Sequence, residues 1–306
     1  MAKAQGKLTP AISDAAVMHA SMKSIRDYLV SVGLAQLAVS GGYDVSGSSS
    51  QVPTASGGVS AWMAFAFTDA DQAAFPIVIV IRIGRWTLNG YSVYGYQYGV
   101  ADGIQDGTTL IGRSSLSSTP ASGGTAYHQW YINVAGNLGD FVRYSGDTLT
   151  LLVCHKYRNV SGPLFHSGIV MHVERMRRKD GSVESGWACI LDRDNYSANS
   201  GTTNLTVEFT EGTGVYTDAA LSNRIAGPRS AYDGGVPVVA PICYVSELDQ
   251  AAVPFRKAFS IAAAVVTNGG FIRLDFSGEE KPYLAFAGMK QHIAGSPTYG
   301  VIFEWE

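Results

Sequence analysis

The side chains best suited to acid–base chemistry are carboxylates that lie close together in the sequence, Asp69 with Asp71 and Glu279 with Glu280. A glycosidase needs two such groups about 5 to 9.5 Å apart, on either side of the bond that it cleaves. The sequence does not give that distance, and among 25 acidic residues such neighbours arise by chance. We therefore interpret these four carboxylates as solvated loop charges.

Patterns for metal binding and for nucleophilic catalysis are incomplete. Asp192, Asp194 and Asn195 offer oxygen ligands for a hard cation, but the glycine and the distal glutamate of a calcium loop are missing. His166 and His172 are about 20 Å apart along an extended strand, so they do not suggest a shared metal. Glycine-rich phosphate loops and the GxSxG elbow of a serine hydrolase are also missing. The sequence therefore predicts no catalytic, cofactor-binding or metal residues, no cofactor and no enzymatic activity.

Charge and hydropathy argue against two classes of partner. The formal net charge is −3 and the isoelectric point is about 6.1, so the basic surface required by nucleic acid or an anionic membrane is lacking. The longest apolar run, residues 75–81, is far shorter than the roughly 20 residues of a membrane-spanning helix. We therefore expect no nucleic-acid and no membrane partner. The dense basic run, which we interpret as a solvated hairpin tip, consists of Arg175, Arg177, Arg178 and Lys179.

The cysteines, Cys154, Cys189 and Cys243, do not form a recognisable site. They lie far apart and include no CxxC pair, so they indicate neither a zinc ribbon nor a disulfide framework. We expect three reduced and buried thiols.

The N-terminal region carries the clearest helical signal. Thr9 can cap a helix, Pro10 suits its first turn and Gly33 can end it, which predicts a helix over residues 10–32. Its apolar residues repeat at spacings of four and three: Ala11, Ala15, Met18, Met22, Ile25, Leu29 and Val32. This pattern fits a coiled-coil seam or a helix packed on its own domain. We expect residues 1–33 to dock on a neighbouring subunit through Met18, Met22, Ile25 and Leu29.

After Gly33 the apolar period changes to two, which is typical of strands. The Asn-Gly dipeptide at 89–90 predicts a hairpin of Ile77–Trp86 with Tyr91–Val100, and Lys-Asp-Gly at 179–181 predicts one of Gly168–Arg177 with Val183–Asp192. Further strands are expected at Val59–Phe67, Tyr127–Val134, Thr148–Tyr157, Asn204–Phe209, Val236–Val245, Phe271–Phe276, Tyr283–Ala287 and Tyr299–Trp305. The expected fold is mainly β, an antiparallel β-sandwich or jelly-roll-like core with one N-terminal α-helix.

We divide the chain into an N-terminal arm and helix (1–33), a main β-domain (34–211) and a β-rich C-terminal part (212–306), which could be a subdomain of the same core. Glycine- and serine-rich loops are expected at 40–58 and 113–124.

Tyrosines stand out in the second strand of the first hairpin. Alternation places Tyr94, Tyr96 and Tyr98 on one face, while the opposite face carries two glycines and Gln97. Such a strip can be a sugar platform, a core element or a contact between subunits. We take the three tyrosines as candidate subunit contacts.

Two segments carry a resemblance to known proteins. The start LTPAISDAAVMHASMKSIRDYLVSVGL and the later WMAFAFTDADQAAFPIVIVIRIGRW resemble structural proteins of tailed-bacteriophage virions, and LLVCHKYRNVSGP and TYGVIFEW also fit that group. The match covers the first hundred residues best and rests on overall pattern.

This resemblance implies a non-catalytic virion component, assembled in many copies in the tail or baseplate region after synthesis in the bacterial host cytoplasm. Its partners would be copies of itself and other virion proteins, with a host surface glycan as a further candidate. The alternatives are a capsid decoration protein, a fibre-attachment or receptor-binding protein, and a glycan depolymerase. The resemblance transfers no site residues.

Overall fold

The computed structural model describes residues 2–6, 14–88, 91–114, 134–158, 164–192, 205–211, 214–220, 232–233, 236–237, 239–246, 248–262, 270–275, 278–286 and 299–306. Within these ranges the chain is mainly β, with three large antiparallel sheets and one N-terminal α-helix, which confirms the expected fold class. The described residues include no helix with the length and apolar character needed to cross a membrane.

The helix α1 covers Ala15–Ser31, and a short 3-10 helix covers Ser49–Gln51. Along the described chain the strands are β1 (Ala2–Gly6), β2 (Ala35–Gln36), β3 (Met63–Ala66), β4 (Val78–Leu88), β5 (Tyr91–Ile104), β6 (Leu110–Arg113), β7 (Val134–Tyr144), β8 (Thr148–Arg158), β9 (Leu164–Arg177), β10 (Val183–Asp192), β11 (Leu205–Glu211), β12 (Gly214–Ala220), β13 (Tyr232–Asp233), β14 (Val236–Pro237), β15 (Val239–Ser246), β16 (Ala251–Ala262), β17 (Phe271–Asp275), β18 (Glu280–Phe286) and β19 (Tyr299–Glu304).

Most strands pair with their neighbours in the chain. The N-terminal sheet has the order β2-β3-β4-β5-β6, and the central sheet has the order β1-β7-β8-β9-β10-β11-β12. The C-terminal sheet has the order β15-β16-β19-β18-β17, and β13 and β14 form a two-stranded ribbon. Many strands that follow one another in the chain pair as hairpins, whereas β1 pairs with β7 and β16 pairs with β19 across longer stretches of sequence.

The central sheet is buried on both faces. One face packs with α1 and the N-terminal sheet in a first core, which includes Leu151 and Met171. The other face packs with the C-terminal sheet in a second core, which includes Leu152 and Val170. Alternating side chains of β8 and β9 thus enter different cores. The central sheet therefore shares one core with the N-terminal sheet and another with the C-terminal sheet.

The helix belongs to the first core. Its N-cap is Asp14, whose carboxylate accepts hydrogen bonds from the backbone N–H groups of Ala16 and Val17 at 2.7 and 3.2 Å. Gly33 follows the helix with a φ of 108°, a value that favours glycine and that confirms the expected end. The expected cap, Thr9, lies outside the described residues, but the expected start of the helix at Pro10 is wrong, because Asp14 is extended and α1 begins at Ala15.

The structure corrects the expected subunit contacts. All seven candidate side chains are at most 4% exposed in the first core of the chain itself: Met18, Met22, Ile25, Leu29, Tyr94, Tyr96 and Tyr98. Their heptad spacing serves a helix packed on its own sheets. These seven side chains are therefore not available to a second subunit in this conformation, and the apolar face of α1 packs in the first core.

Both predicted hairpins are confirmed, with Leu88 paired to Tyr91 and Val183 paired to Arg177. The sequence did not predict β16. The strand expected at Tyr127–Val134 shares only Val134 with β7, so the rest of β7 was not predicted either. The expected domain boundary at 211–212 falls between β11 and β12, which pair in one sheet.

Two cysteines can be placed. Cys189 is buried in the first core as expected, but Cys243 is exposed on the edge strand β15, so that part of the expectation is wrong. The side chain of Cys154 lies outside the described residues.

The role of the helix predicts the effect of Met22→Ala. Met22 is fully buried, so we expect the change to lower the free energy of unfolding by about 2 to 5 kcal/mol. Lys23→Ala, at an exposed position on the same helix, should change it by less than about 0.5 kcal/mol. Urea denaturation followed by circular dichroism measures both values, and equal stability of the two variants would contradict the packing role.

Candidate functional site

A dense group of ionisable side chains lies between the central and C-terminal sheets among the described residues. Alternation along β9 directs His172 and Glu174 towards the C-terminal sheet, whereas Val173 and Arg175 face the opposite side. His172, Glu174 and the facing Thr150 of β8 have 0% exposure. We call Thr150, His172 and Glu174 the buried triad.

Both ring nitrogens of His172 are hydrogen-bonded. The Thr150 hydroxyl lies 2.8 Å from Nδ1, and Glu174 Oε1 lies 2.9 Å from Nε2. The paired register of β8 and β9 sets Thr150 directly opposite His172. The ring stacks on Phe303 at 5.1 Å between centroids and lies 5.8 Å from the Phe255 ring. Two strands of the C-terminal sheet therefore enclose an imidazole that belongs to the central sheet.

Glu174 links the two sheets directly. Besides His172, its carboxylate accepts the backbone N–H of Arg256 at 3.0 Å, the Arg256 Nε–H at 3.2 Å and the backbone N–H of Lys257 at 2.9 Å. Four donors around one carboxylate stabilise its charged form. They satisfy a group that would otherwise be costly to bury.

The pKa directions agree with a neutral imidazole beside an ionised carboxylate. Burial lowers the pKa of His172; the hydrogen bond and charge of Glu174 oppose this, and the charges of Arg143 and Arg256 add to it. Burial would raise the pKa of Glu174, but the hydrogen bond from His172 and the charge and backbone N–H of Arg256 outweigh this and lower it. Since the carboxylate can only accept, Nε2–H donates to Glu174 and Nδ1 accepts from Thr150.

Further charges extend the group towards the protein surface. Asp147 Oδ2 accepts from Arg256 Nη1 at 2.7 Å and from Arg177 Nη2 at 2.8 Å. Burial would raise the pKa of Asp147, but hydrogen bonds and charge from these two arginines hold it below its usual value. Arg256 thus connects the buried triad to a partly exposed ion pair.

A second link joins the same two sheets near the last residues of the chain. The side chain of Arg143 is 0% exposed, and its Nη2 lies 3.5 Å from Glu304 Oε1. Its Nε donates to the Glu306 carbonyl at 2.7 Å, and Lys257 Nζ lies 2.5 Å from the same Glu304 oxygen. Lys3 of β1 donates to the Trp305 carbonyl. The end of β19 is thereby held against β7 and β1.

The buried triad has the same three groups as a nucleophilic triad, but its hydroxyl is not accessible to a substrate. Hydroxyl, imidazole and carboxylate are hydrogen-bonded in series, as in serine hydrolases. A nucleophile must reach its substrate, however, and the Thr150 hydroxyl belongs to a residue with no exposed surface. In this conformation the arrangement is suited to holding two sheets together and not to attacking a bound molecule.

The first core contains a comparable buried ion pair. Arg175, at 0% exposure, binds Asp69 through two parallel contacts, with Nη2 2.7 Å from Oδ1 and Nε 2.5 Å from Oδ2. Its Nη1 also donates to the Phe75 carbonyl at 2.5 Å. The interpretation of Asp69 as a solvated loop charge is therefore wrong, because it fixes the turn between β3 and β4 to β9.

The basic run is solvated only in part, because Lys179 is exposed and the Arg178 side chain is 40% exposed, whereas Arg175 is buried. Arg177 pairs with Asp147, and Arg178 donates to Asp249 Oδ1 from Nη2 at 2.9 Å and from Nε at 3.1 Å. These contacts tie the β9–β10 hairpin to neighbouring elements. The sequence showed the positive charges but not their partners, which are distant in the chain.

The other candidate residues are placed as follows. Glu280 pairs with exposed Arg273 at 3.1 Å and Glu279 with Lys281 at 3.5 Å, both at the surface. Tyr96 hydrogen-bonds Ser21 of α1. Tyr98 accepts the backbone N–H of Val170 at 3.1 Å, and Arg85 lies 5.3 Å from the Tyr94 ring.

Most of the candidate metal ligands fall outside the described residues. Asp194, Asn195 and the side chains of His166 and Asp192 lie outside the described residues. Within the part of the chain that is described, no group of three or more histidine, cysteine or acidic residues is arranged to hold a metal ion.

The tie between the sheets predicts the effect of Glu174→Gln. The amide keeps the volume but removes the charge that faces Arg256, so we expect the free energy of unfolding to fall by about 3 to 5 kcal/mol. Glu280→Gln removes the charge of an exposed pair and should cost less than about 1 kcal/mol. Thermal and urea denaturation at pH 7.5 compare the two variants. A similar loss of unfolding free energy in both would contradict the prediction, because the buried carboxylate would then contribute no more than the exposed one.

The comparisons with known proteins add no relative to this description. No family model matches the sequence, and neither a curated protein nor a solved structure matches the chain.

Proposed function

We propose that the chain is a non-catalytic structural subunit of a tailed-bacteriophage virion, present in many copies in the tail or baseplate region. The resemblance of its first hundred residues to such virion proteins supports the location. The observation that carries the structural role is the use of buried ionisable side chains: Arg143, His172, Glu174 and Arg175 each have 0% exposure and are bound within the layers.

These contacts suit a subunit that must keep its shape. Apolar packing is not directional, so stacked sheets held by it can shift relative to one another. Hydrogen-bonded charges are directional, and Glu174 with Arg256 and Arg175 with Asp69 fix the sheets and the β3–β4 turn in one relative position. The proposal is that this rigidity serves assembly in a particle.

Three alternative functions are distinguished by the test. A capsid decoration protein or a fibre-attachment protein would be found on particles but at another position. A glycan depolymerase would release reducing sugar from host polysaccharide, which requires two carboxylates facing an open groove.

The proposal predicts where the protein is found. Antibodies against the purified chain, used for immunogold electron microscopy of particles made from the same genome, should label the tail or baseplate region at repeated positions. Particles from which the gene has been deleted provide the control for labelling. Mass spectrometry of purified particles should recover the chain in more than one copy per particle.

Absence of the chain from purified particles would contradict the structural proposal. Label on the capsid or on fibres would contradict the proposed location but keep a structural role. Release of reducing sugar by the purified protein, retained after removal of contaminating enzymes, would replace the proposal with the depolymerase.

A further inference from the structure

The hydrogen bonds around His172 are complete with a single ring proton. Its Nδ1 accepts from Thr150 and its Nε2–H donates to Glu174, so both nitrogens are engaged. A proton on Nδ1 would reverse this hydrogen bond, because the Thr150 hydroxyl would then accept from Nδ1–H and would need a new acceptor for its own proton. No part of the imidazole is in contact with solvent, because the residue is 0% exposed.

The charged groups around the ring come from every strand packed against it. These groups are Arg143 on β7, Asp147 before β8, Glu174 on β9, Arg256 and Lys257 on β16, and Glu304 on β19. The negative groups already have positive partners: Glu174 and Asp147 bind Arg256, while Glu304 binds Lys257 and Arg143. An imidazolium would therefore add an unmatched positive charge to a layer from which water is excluded.

We propose that acidification opens the layer between the central and C-terminal sheets, and that His172 takes up a proton as the layer opens. The first core stays packed in this step. The device is a pH-sensitive latch made of Thr150, His172 and Glu174, and it is independent of where the protein is used.

The sign follows from the lowered pKa of His172 in the closed protein. A group with a depressed pKa contributes stability above its free value, about 6.5 for histidine, and this stability is lost as pH falls below that value. Glu174, whose pKa is also lowered, acts in the same direction only at lower pH, below the free value of a glutamate, about 4.3.

The first core responds differently. Asp102 of β5 accepts from Trp187 Nε1 of β10 at 3.0 Å, across the N-terminal and central sheets. Burial raises the pKa of Asp102, and the hydrogen bond from Trp187 only partly opposes this. A raised carboxyl pKa means that protonation of Asp102 favours the folded form, so this group does not destabilise the first core as pH falls.

Hydrogen–deuterium exchange measured by mass spectrometry tests the latch on the full chain at pH 7.5, 6.5 and 5.5. Exchange rates are corrected for the chemical effect of pH on free peptides. We expect the equilibrium constant for opening of β16 and β19 to increase by up to about tenfold from pH 7.5 to 5.5. This is the increase expected when one histidine has a pKa of about 6.5 in the open state and stays neutral in the closed state. Segments from β3 and β4 should not show this increase.

Two histidine variants separate the latch from other titrations. His172→Gln removes the titrating group and should abolish the pH dependence in β16 and β19. His19→Gln, at a partly exposed histidine on α1 that contacts Tyr43, should leave the dependence intact. Equal pH dependence in His172→Gln and the unchanged protein would overturn the proposal.

A measurement on the unchanged protein covers the case in which His172→Gln does not fold. Nitrogen NMR of the histidine rings should show His172 neutral, with the proton on Nε2, in the closed protein at pH 7.5. An imidazolium at that pH would overturn the proposal, because acid would then stabilise the closed layer. An equal increase of exchange in all three sheets would also overturn it, because the whole chain would be opening.

Discussion

The burial of the central sheet on both faces is the constraint on which the rest of the structure depends. An antiparallel sheet commonly packs one face and leaves the other in water, so its polar residues have a free side. Here both sides of β8 and β9 enter a core. Every polar side chain in the middle of these strands must therefore find its partner inside the protein.

The charged ties follow from that constraint. His172, Glu174 and Arg175 stand in sequence positions that a two-layer protein could have exposed. In this chain Glu174 receives donors from β16, and Arg175 receives Asp69 from the turn before β4. Removing one member of such a pair leaves a charge in a dry layer, which makes the sheets dependent on each other. Because His172 is enclosed between these two sheets, the stability of the layer between them depends on pH.

Local features of the sequence predicted local features of the fold. The Asn-Gly and Asp-Gly turns defined two hairpins, and Gly33 marked the end of the helix, because positive φ values favour glycine and asparagine. Strand β16 was not predicted because Pro254, Arg256 and Lys257 interrupt its apolar pattern. Strand β7 contains glycines and two shifts of register with β8, which hide its alternation.

The candidate site could not be predicted in the same way, because its partners are far apart in the sequence. Alternation places His172 and Glu174 on one face of β9, but it does not say which sheet covers that face. The contact of Glu174 with Arg256 spans 82 positions of the chain. The heptad of α1 was similarly ambiguous, since the same apolar stripe serves a second subunit or the chain's own sheets.

The central claim is that the buried charges couple the central sheet to the C-terminal sheet. A double-mutant cycle of Glu174→Ala and Arg256→Ala, measured by urea denaturation at pH 7.5, tests it most directly. The account predicts a coupling energy of about 1 to 3 kcal/mol, because each change removes the partner of the other. The matched cycle at the exposed pair Arg273 and Glu280 should give about 0.2 to 1 kcal/mol. Additive effects of the Glu174 and Arg256 changes, with no coupling energy, would contradict the account.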